Sequence, residues 1–588
     1  MNAVTRRRGW RGLAGALLAA LALSAPAAAA EPEFAVEIDA PERFRELLED
    51  NLRIVRRVAE GVTERQFERL TERAGSQIRE LLATEGHFSP RVELSVEETP
   101  QKRTARFTVE PGPPSFISTV DLQFRGALTE ERWDNAERRE LLRESWPLQE
   151  GLRFTQRLWD AGKSGLVRLL VDQRYPLAEI AESEARVDPE ARTVRLRVVL
   201  DSGPSVTLGE LRVEGLERYP ESIVRDLNRI APGTPYSQQL ITDLQTDLVE
   251  TGYFASAFVT VDAEAEDPEN SPIQVTVVEA PRRRLKAGAG YSTDVGFKLE
   301  TVFTQREFFG QAWHWNSGAR LAQREQAVFS EVLTPRDADG HRYGVGVLLD
   351  RQDIQNEETS SVTALLRRIT PGKLQEHEIG LAPVYERKQV QDFATERLKS
   401  LPLYLSWTRR DVDDLVTPRR GLIVNLRAAG AVEAVFTDES FFQGAVKAAA
   451  FVPVGRRDML ALRTELGRTW TSNPQRVPSR YLFRTGGSTS VRGYAFESLG
   501  VDVGNAVVGG RVLAVASAEY THMLTDTWGI AGFIDAGNAS DTLSDFDAKV
   551  GYGAGVRWRT PIGPLALDIA YGRDTEEYRV HFLVGFSF

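Results

Sequence analysis

Leu401-Pro402-Leu403-Tyr404-Leu405-Ser406-Trp407-Thr408 sets leucine or tryptophan at every odd position and proline, tyrosine, serine or threonine between them. An extended chain points successive side chains to opposite faces, so this stretch has one apolar face and one mixed face. The period recurs at Leu422, Val424 and Leu426 against Ile423, Asn425 and Arg427, and at Leu460, Leu462 and Leu466 against Ala461, Arg463 and Glu465. Leucine on one face and charge on the other, over about ten residues, fits a wall with lipid outside and water inside. A soluble sandwich also alternates, but its charged face looks outwards and its hairpins lie closer together. The 304 residues from 285 to 588 divide into roughly sixteen such segments. The pattern predicts a transmembrane antiparallel β-barrel of about 16 strands over residues 282–588.

The two closing strands of such a barrel are the first, 285–292, and the last, 580–588. Gly288 and Gly290 leave the first with little to pack, so its pairing with the last, around Leu583 and Val584, reads as a weak seam. A weak seam can open sideways and offer a free strand edge, a lateral gate for an incoming strand. The last strand aligns Phe582, Val584, Phe586 and Phe588 on one face.

One connection in this half is too long for hairpin chemistry. Nearly forty polar-rich residues surround Val491-Arg492-Gly493-Tyr494, where a hairpin needs about two to five. Arg492 offers a planar fork of donors suited to a carboxylate fixed on the lumen wall. Gly493 permits a tight turn or a close approach, and Tyr494 can pack its ring while its hydroxyl bonds. The bland alternative is an arginine in solvent.

The first half has a different rhythm. A short strand near Phe34–Ile38 precedes a helical stripe of Phe44, Leu47, Leu48, Leu52 and Val55, a second helix through Phe67, Leu70, Ala74, Ile78 and Leu81, and two strands carrying Val92, Leu94, Val96 and then Phe107, Val109. The cycle returns twice. The last copy runs from Val206, Leu208, Leu211 and Val213 through helices with Val224, Leu227, Ile230 and Leu240, Ile241, Leu244, Leu248 to strands with Val259, Val261, Val275 and Val277. Three α+β modules are predicted, at 31–112, 113–203 and 204–281.

Residues 1–30 read as a signal peptide: Arg6, Arg7, Arg8 and Arg11, an apolar run over 13–23, then Ala28-Ala29-Ala30. Removing them moves the formal charge from -11 to about -15, which opposes nucleic-acid binding. No later run is long enough for a spanning helix, so strands must make any crossing. Without cysteine there is no disulfide, thiolate metal site or thiol nucleophile. The six histidines show no metal-ligand spacing, and Glu376-His377-Glu378 lacks a second histidine four residues on. No enzyme and no cofactor is indicated.

Several strings resemble the BamA/TamA superfamily of outer-membrane insertion and translocation proteins. They are Arg306-Glu307-Phe308-Phe309-Gly310, DLVTPRRG at 414–421, Phe483-Arg484-Thr485-Gly486-Gly487 leading into the Arg492 motif, Phe533-Ile534-Asp535-Ala536-Gly537-Asn538, and GAGVRWRTPIGP at 553–564. In that setting the repeats are similar to POTRA domains, and Phe586 and Phe588 look like the terminal assembly signal. The resemblance implies an outer-membrane barrel with its modules in the periplasm, and Asp535 as the lumenal partner of Arg492. Three modules match the TamA branch, since BamA-like chains carry five and two-partner secretion transporters usually two. That branch implies a large inner-membrane-anchored TamB-like partner, with outer-membrane or autotransporter proteins as substrates. A dedicated secretion pore and a passive diffusion pore stand as alternatives.

Overall fold

The computed structural model describes residues 33–132, 134–264, 266–560 and 563–584, with backbone alone at 564, 583 and 584. The expected signal peptide and the tail residues Phe586 and Phe588 lie outside the described residues.

The unit ending at Val206 holds two α+β modules. In the first, strands Glu33–Asp39, Arg91–Glu98 and Lys102–Glu110 form a sheet whose middle member is Lys102–Glu110, parallel to one neighbour and antiparallel to the other. The stripe from Phe44 to Val55 is two helices, Glu42–Asn51 and Arg53–Glu60, rather than one. Leu52 is extended between them, with φ -73 and ψ 125. Residues two apart on a helix point about 200° from each other, so only this break lets Leu48, Leu52 and Ile54 all enter the core. Helix Glu64–Thr84 starts on a Thr63/Gln66 capping box and stops before Gly86 at φ +79. Leu94 and Val96 sit on the edge strand and are exposed. The second module repeats the order with Phe116–Arg125, Glu179–Asp188 and Thr193–Asp201. Its core is built on Trp146 and Trp159, edge to face at 5.8 Å.

The unit from Thr207 onward holds the third module and the barrel. Strands Thr207–Glu214, Phe254–Val261 and Ser271–Glu279 carry the module, with helix Gln238–Glu250 packed by Ile241, Leu244 and Leu248. The expected helix through Val224, Leu227 and Ile230 is a single turn, Ser222–Arg225. Asn228 takes the Ile230 N–H through its own side chain at 3.1 Å, and Pro232 follows, so the helix cannot continue.

Eighteen strand segments make the barrel wall, and two pairs of them are halves of one strand, giving sixteen strands. Gln375–Leu381 and Val384–Val390 both lie along the sixth strand, Glu357–Pro371; Glu396–Ser400 and Leu403–Val412 run beside them. The breaks fall at Ala382-Pro383 and Leu401-Pro402, where proline has no ladder donor to give. The proline carbonyls still accept, from Ala364 at 2.9 Å and Ala382 at 3.0 Å. Leu405, Leu426, Leu466, Ile534 and Ile569 are exposed on the outer face, a lipid-facing band. Trp528 stacks on Trp558 at 4.8 Å and Phe442 meets Trp470 at 5.5 Å, near opposite rims, as aromatic girdles do.

The first barrel strand, Arg283–Ser292, pairs with the second, Gly296–Gln305, along its whole length. With the sixteenth, Glu577–Val584, it pairs at only Tyr291↔Val584 and Ser292↔Leu583 among the described residues. Beyond these, the Thr293 N–H reaches the Phe582 carbonyl at 3.2 Å. Gly288 and Gly290 are therefore not opposite Leu583 and Val584: the stagger needed to close tilted strands brings Ser292 and Tyr291 there instead.

The third module is bolted to the near rim. Arg306 donates through Nη1 to the Pro281 carbonyl at 2.7 Å and through Nε to that of Gly252. Tyr253 donates to the Ala312 carbonyl and lies on the His314 ring at 4.2 Å, and Lys373 pairs with Asp243. Burial pushes the Tyr253 hydroxyl well above its ordinary range, so it stays a donor.

Candidate functional site

The long connection joins the eleventh strand, Asp458–Thr471, to the twelfth, Val512–Met523. It folds back against the wall, with short turns at Pro474–Arg476 and Ser479–Tyr481 and a small hairpin of Val501–Val503 with Ala506–Val508. Val491 and Tyr494 pack among Phe483, Leu499, Leu513 and Val515. This apolar footing commits the tip to the lumen rather than to solvent.

Arg492 is buried and Asp535 fully so. The guanidinium donates to Asp535 twice, Nε to Oδ2 at 2.7 Å and Nη2 to Oδ1 at 2.9 Å, while the Arg492 backbone N–H meets Oδ2 at 3.1 Å. This is the fork-on-fork pairing that a lysine could not reproduce. The Nη1 corner reaches Glu519 at 2.7 Å and Asp568 at 3.2 Å. Below the plane, the Phe533 ring centroid is 3.4 Å from the guanidinium carbon. Arg557 holds the same two carboxylates from the other side, donating to Glu519 at 2.9 and 2.8 Å and to both oxygens of Asp568. Three buried carboxylates thus face two guanidiniums across four adjacent strands, the twelfth, thirteenth, fourteenth (Lys549–Thr560) and fifteenth (Gly563–Gly572).

The neighbours of Arg492 extend the clasp. Gly493 has φ +95 and its N–H donates to His581 Nε2 at 3.0 Å on the sixteenth strand. A Cβ there would stand 2.8 Å from the Gly572 nitrogen, so both its backbone angle and its closeness require glycine. Tyr494 donates to Asp574 Oδ2 at 2.8 Å. Asp574, in the last hairpin turn, is held below the usual carboxylate range chiefly by that hydroxyl.

Two further anchors hold the loop. On the opposite wall Arg484 pairs with buried Glu357 at 3.0 Å, and Ser479 donates from its N–H to Glu386 at 3.0 Å and from its hydroxyl to the same carboxylate at 2.8 Å. At the first hairpin turn Ser488 donates to Asp294 Oδ2 from its N–H at 3.0 Å and its hydroxyl at 2.6 Å. Ser488 thus ties to the first hairpin and Gly493, five residues on, to the last strand. The loop spans the seam from inside.

Of the residues singled out in the sequence, Val491, Arg492, Gly493, Tyr494 and Asp535 come together. Gly288, Gly290 and the backbone of Leu583 and Val584 lie at or near the seam, apart from that cluster. Glu519, Arg557, Asp568 and His581 were missed. Each is a charged or polar residue between outward-facing apolar neighbours, as in Leu567-Asp568-Ile569 and Val580-His581-Phe582. That alternation marks a lumenal position but not which lumenal residues meet.

The fold is shared with known proteins. The Omp85 superfamily domain matches residues 283–588, and a POTRA family described as surface antigen variable number repeat matches 206–280. The outer membrane protein assembly factor BamA of Nitratidesulfovibrio vulgaris is 24% identical over 437 residues, covering 70% of this chain and 54% of its own. BamA of Neisseria meningitidis serogroup B is 23% identical over 495 residues, covering 71% and 62%. This chain therefore spans little more than half the length of those relatives. The crystal structure of Haemophilus ducreyi BamA lacking POTRA domains 1-3 superposes with a TM-score of 0.64 at 17% identity, covering 80% of this chain and 99% of that one, a likeness of fold. With its barrel half matched from end to end, this chain belongs to the Omp85 superfamily and is an outer-membrane protein.

Proposed function

We propose that this protein is the outer-membrane component of a protein assembly or translocation module, which hands strands into the bilayer through the seam between its first and sixteenth strands. The observation that carries the reading is the lumenal loop, tied through Ser488 to Asp294 of the first hairpin and through Gly493 to His581 of the sixteenth strand, so that it brackets the seam from within. Backbone groups parted at that seam would find no water in lipid, so an edge opened there recruits another strand. Three modules ahead of the barrel in the chain favour the TamA type, with a TamB-like partner anchored in the inner membrane and autotransporters or other barrels as substrates. A passive pore accounts for a polar lumen but gives no use for a loop tied at three places inside it.

The test uses the absence of native cysteine. Ser292→Cys with Leu583→Cys sits on a directly opposed antiparallel pair, whose Cα separation of about 4.5–5.5 Å suits a disulfide. In proteoliposomes the oxidised protein should stop inserting an autotransporter barrel and recover on reduction. Full activity of a quantitatively oxidised protein would exclude lateral opening.

A further inference from the structure

The outer wall between the seventh and eleventh strands carries a groove of about 990 Å³. Strand register lays it out in rows. The floor is Ala428 beside Gly444, continued by Leu405 on one side and ending at Arg468 on the other. One bank is Trp407, Leu426, Val446 and Leu466, again directly opposed pair by pair. The other bank is closed by Trp470, whose ring lies tilted against that of Phe442. From Arg468 to Ile379 the row crosses four strand spacings, about 19 Å at ~4.8 Å each, enough to seat one acyl chain.

Arg468 is out of place on such a surface. It shares the outward face with Leu466 and Trp470, three residues from the end of the eleventh strand at Thr471. Its guanidinium lies 5.6 Å from the Trp470 ring centroid, and no ion pair reaches it among the described residues. A lipid-facing arginine is costly at the bilayer midplane and tolerated near the rim, where headgroups supply anions. A cation with an open fork of donors suits a phosphate above all.

We infer that this groove binds a phosphate-bearing lipid of the leaflet at the rim opposite the third module, with the phosphate on Arg468 and one acyl chain along Gly444, Ala428 and Leu405. The groove lies on other strands than the lateral gate.

The test is lipid retention by the purified full chain in detergent, read by native mass spectrometry with phosphatidic acid and with diacylglycerol of the same acyl chains. The wild type should hold phosphatidic acid at least about tenfold better, the worth of one charge-assisted contact. Arg468→Gln should abolish that preference and leave diacylglycerol binding as it was, while Arg468→Lys keeps part of it. Gly444→Leu should lose both lipids: a Cβ at Gly444 meets only the Trp470 ring edge, at 3.8 Å, so the new side chain enters the groove without disturbing the wall. Ala428→Met is the second filling variant should the first fail to fold. Phosphatidic acid preference unchanged in Arg468→Gln, or unchanged retention in a folded filling variant, would overturn the proposal.

Discussion

Replacing Arg492 by alanine removes four side-chain hydrogen bonds, but the loss is uneven. Glu519 and Asp568 keep Arg557, whereas Asp535 keeps only the backbone N–H of residue 492, at 3.1 Å. Counting Glu519, Asp535 and Asp568 against Arg492 and Arg557 gives a formal excess of one negative charge in the buried cluster, and the variant raises it to two. Breaking a buried pair by removing one partner costs about 3–5 kcal/mol, chiefly from the stranded charge. Asp535→Asn in the same chain returns the excess to one, so the double variant should be more stable than the sum of the single losses by roughly 1.5–3 kcal/mol. Urea unfolding of the purified protein in detergent, followed by tryptophan fluorescence, closes the double-mutant cycle. Arg492→Lys should fall between, since an ammonium keeps the charge but not the fork. An interaction energy below about 0.5 kcal/mol would refute the clasp as an energetic unit, whatever its geometry.

Asp294→Ala cuts the tie between Ser488 and the first hairpin, and labelling of a single Ser292→Cys by a maleimide should then quicken about tenfold, the worth of a bond to a charged group; an unchanged rate would remove Ser488 from the seam. In the third module Glu279 accepts the backbone N–H groups of Glu217, Arg218 and Tyr219 at 3.0, 2.8 and 3.2 Å and the Arg218 guanidinium at 2.6 Å. Burial pushes this carboxyl up, but those bonds outweigh it and hold it below its usual value. A depressed carboxylate stabilises above its unfolded pKa and loses that contribution as pH falls through the folded one. Protease resistance of the module should therefore hold at neutral pH and fail in acid below the ordinary carboxylate range, while Glu279→Gln should be weaker at neutral pH and lack that acid step. Removing residues 31–112 should abolish co-purification of a TamB-like partner while the barrel still inserts; retained binding would move the docking surface elsewhere.

The wall was legible because its rule is local. Period two with an apolar outer face and a polar lumen recurs along the wall, so strand number followed from length alone. Its interruptions were legible too, in principle, since Pro383 and Pro402 announce the two breaks that divide long strands. The lumen was not. Arg492 stood out by its motif, but Glu519, Arg557, Asp568 and His581 look like any inward position, and their meeting depends on strand order around the barrel and on register. Register also decides which residues meet: Tyr291 and Ser292, and not the glycines, face Val584 and Leu583 because the barrel shears, a global quantity that no ten-residue window contains. Helix breaks at Leu52 and after Arg225 failed for the opposite reason, a core demand in one case and an Asn side chain in the other.

The two anchors beside the seam differ in what their release would cost, and the difference orders the motion that a lateral gate requires. The clasp joins Arg492 of the loop, itself buried, to four charged groups on four strands, three of them buried, and ends on His581 of the last strand, so the loop tip and the closing wall move as one body. The tie to Asp294 is a single carboxylate with two donors from one serine. Two strand pairs and the Thr293–Phe582 contact complete the link to the first hairpin among the described residues. The first hairpin is also joined, through the chain from Glu279 and through Arg306, to the third module. Opening at the seam therefore separates a body made of the first hairpin and the third module from one made of the loop and the closing strands. Displacement of the module by a bound partner would then act on the first strand directly, with no change needed in the buried clasp.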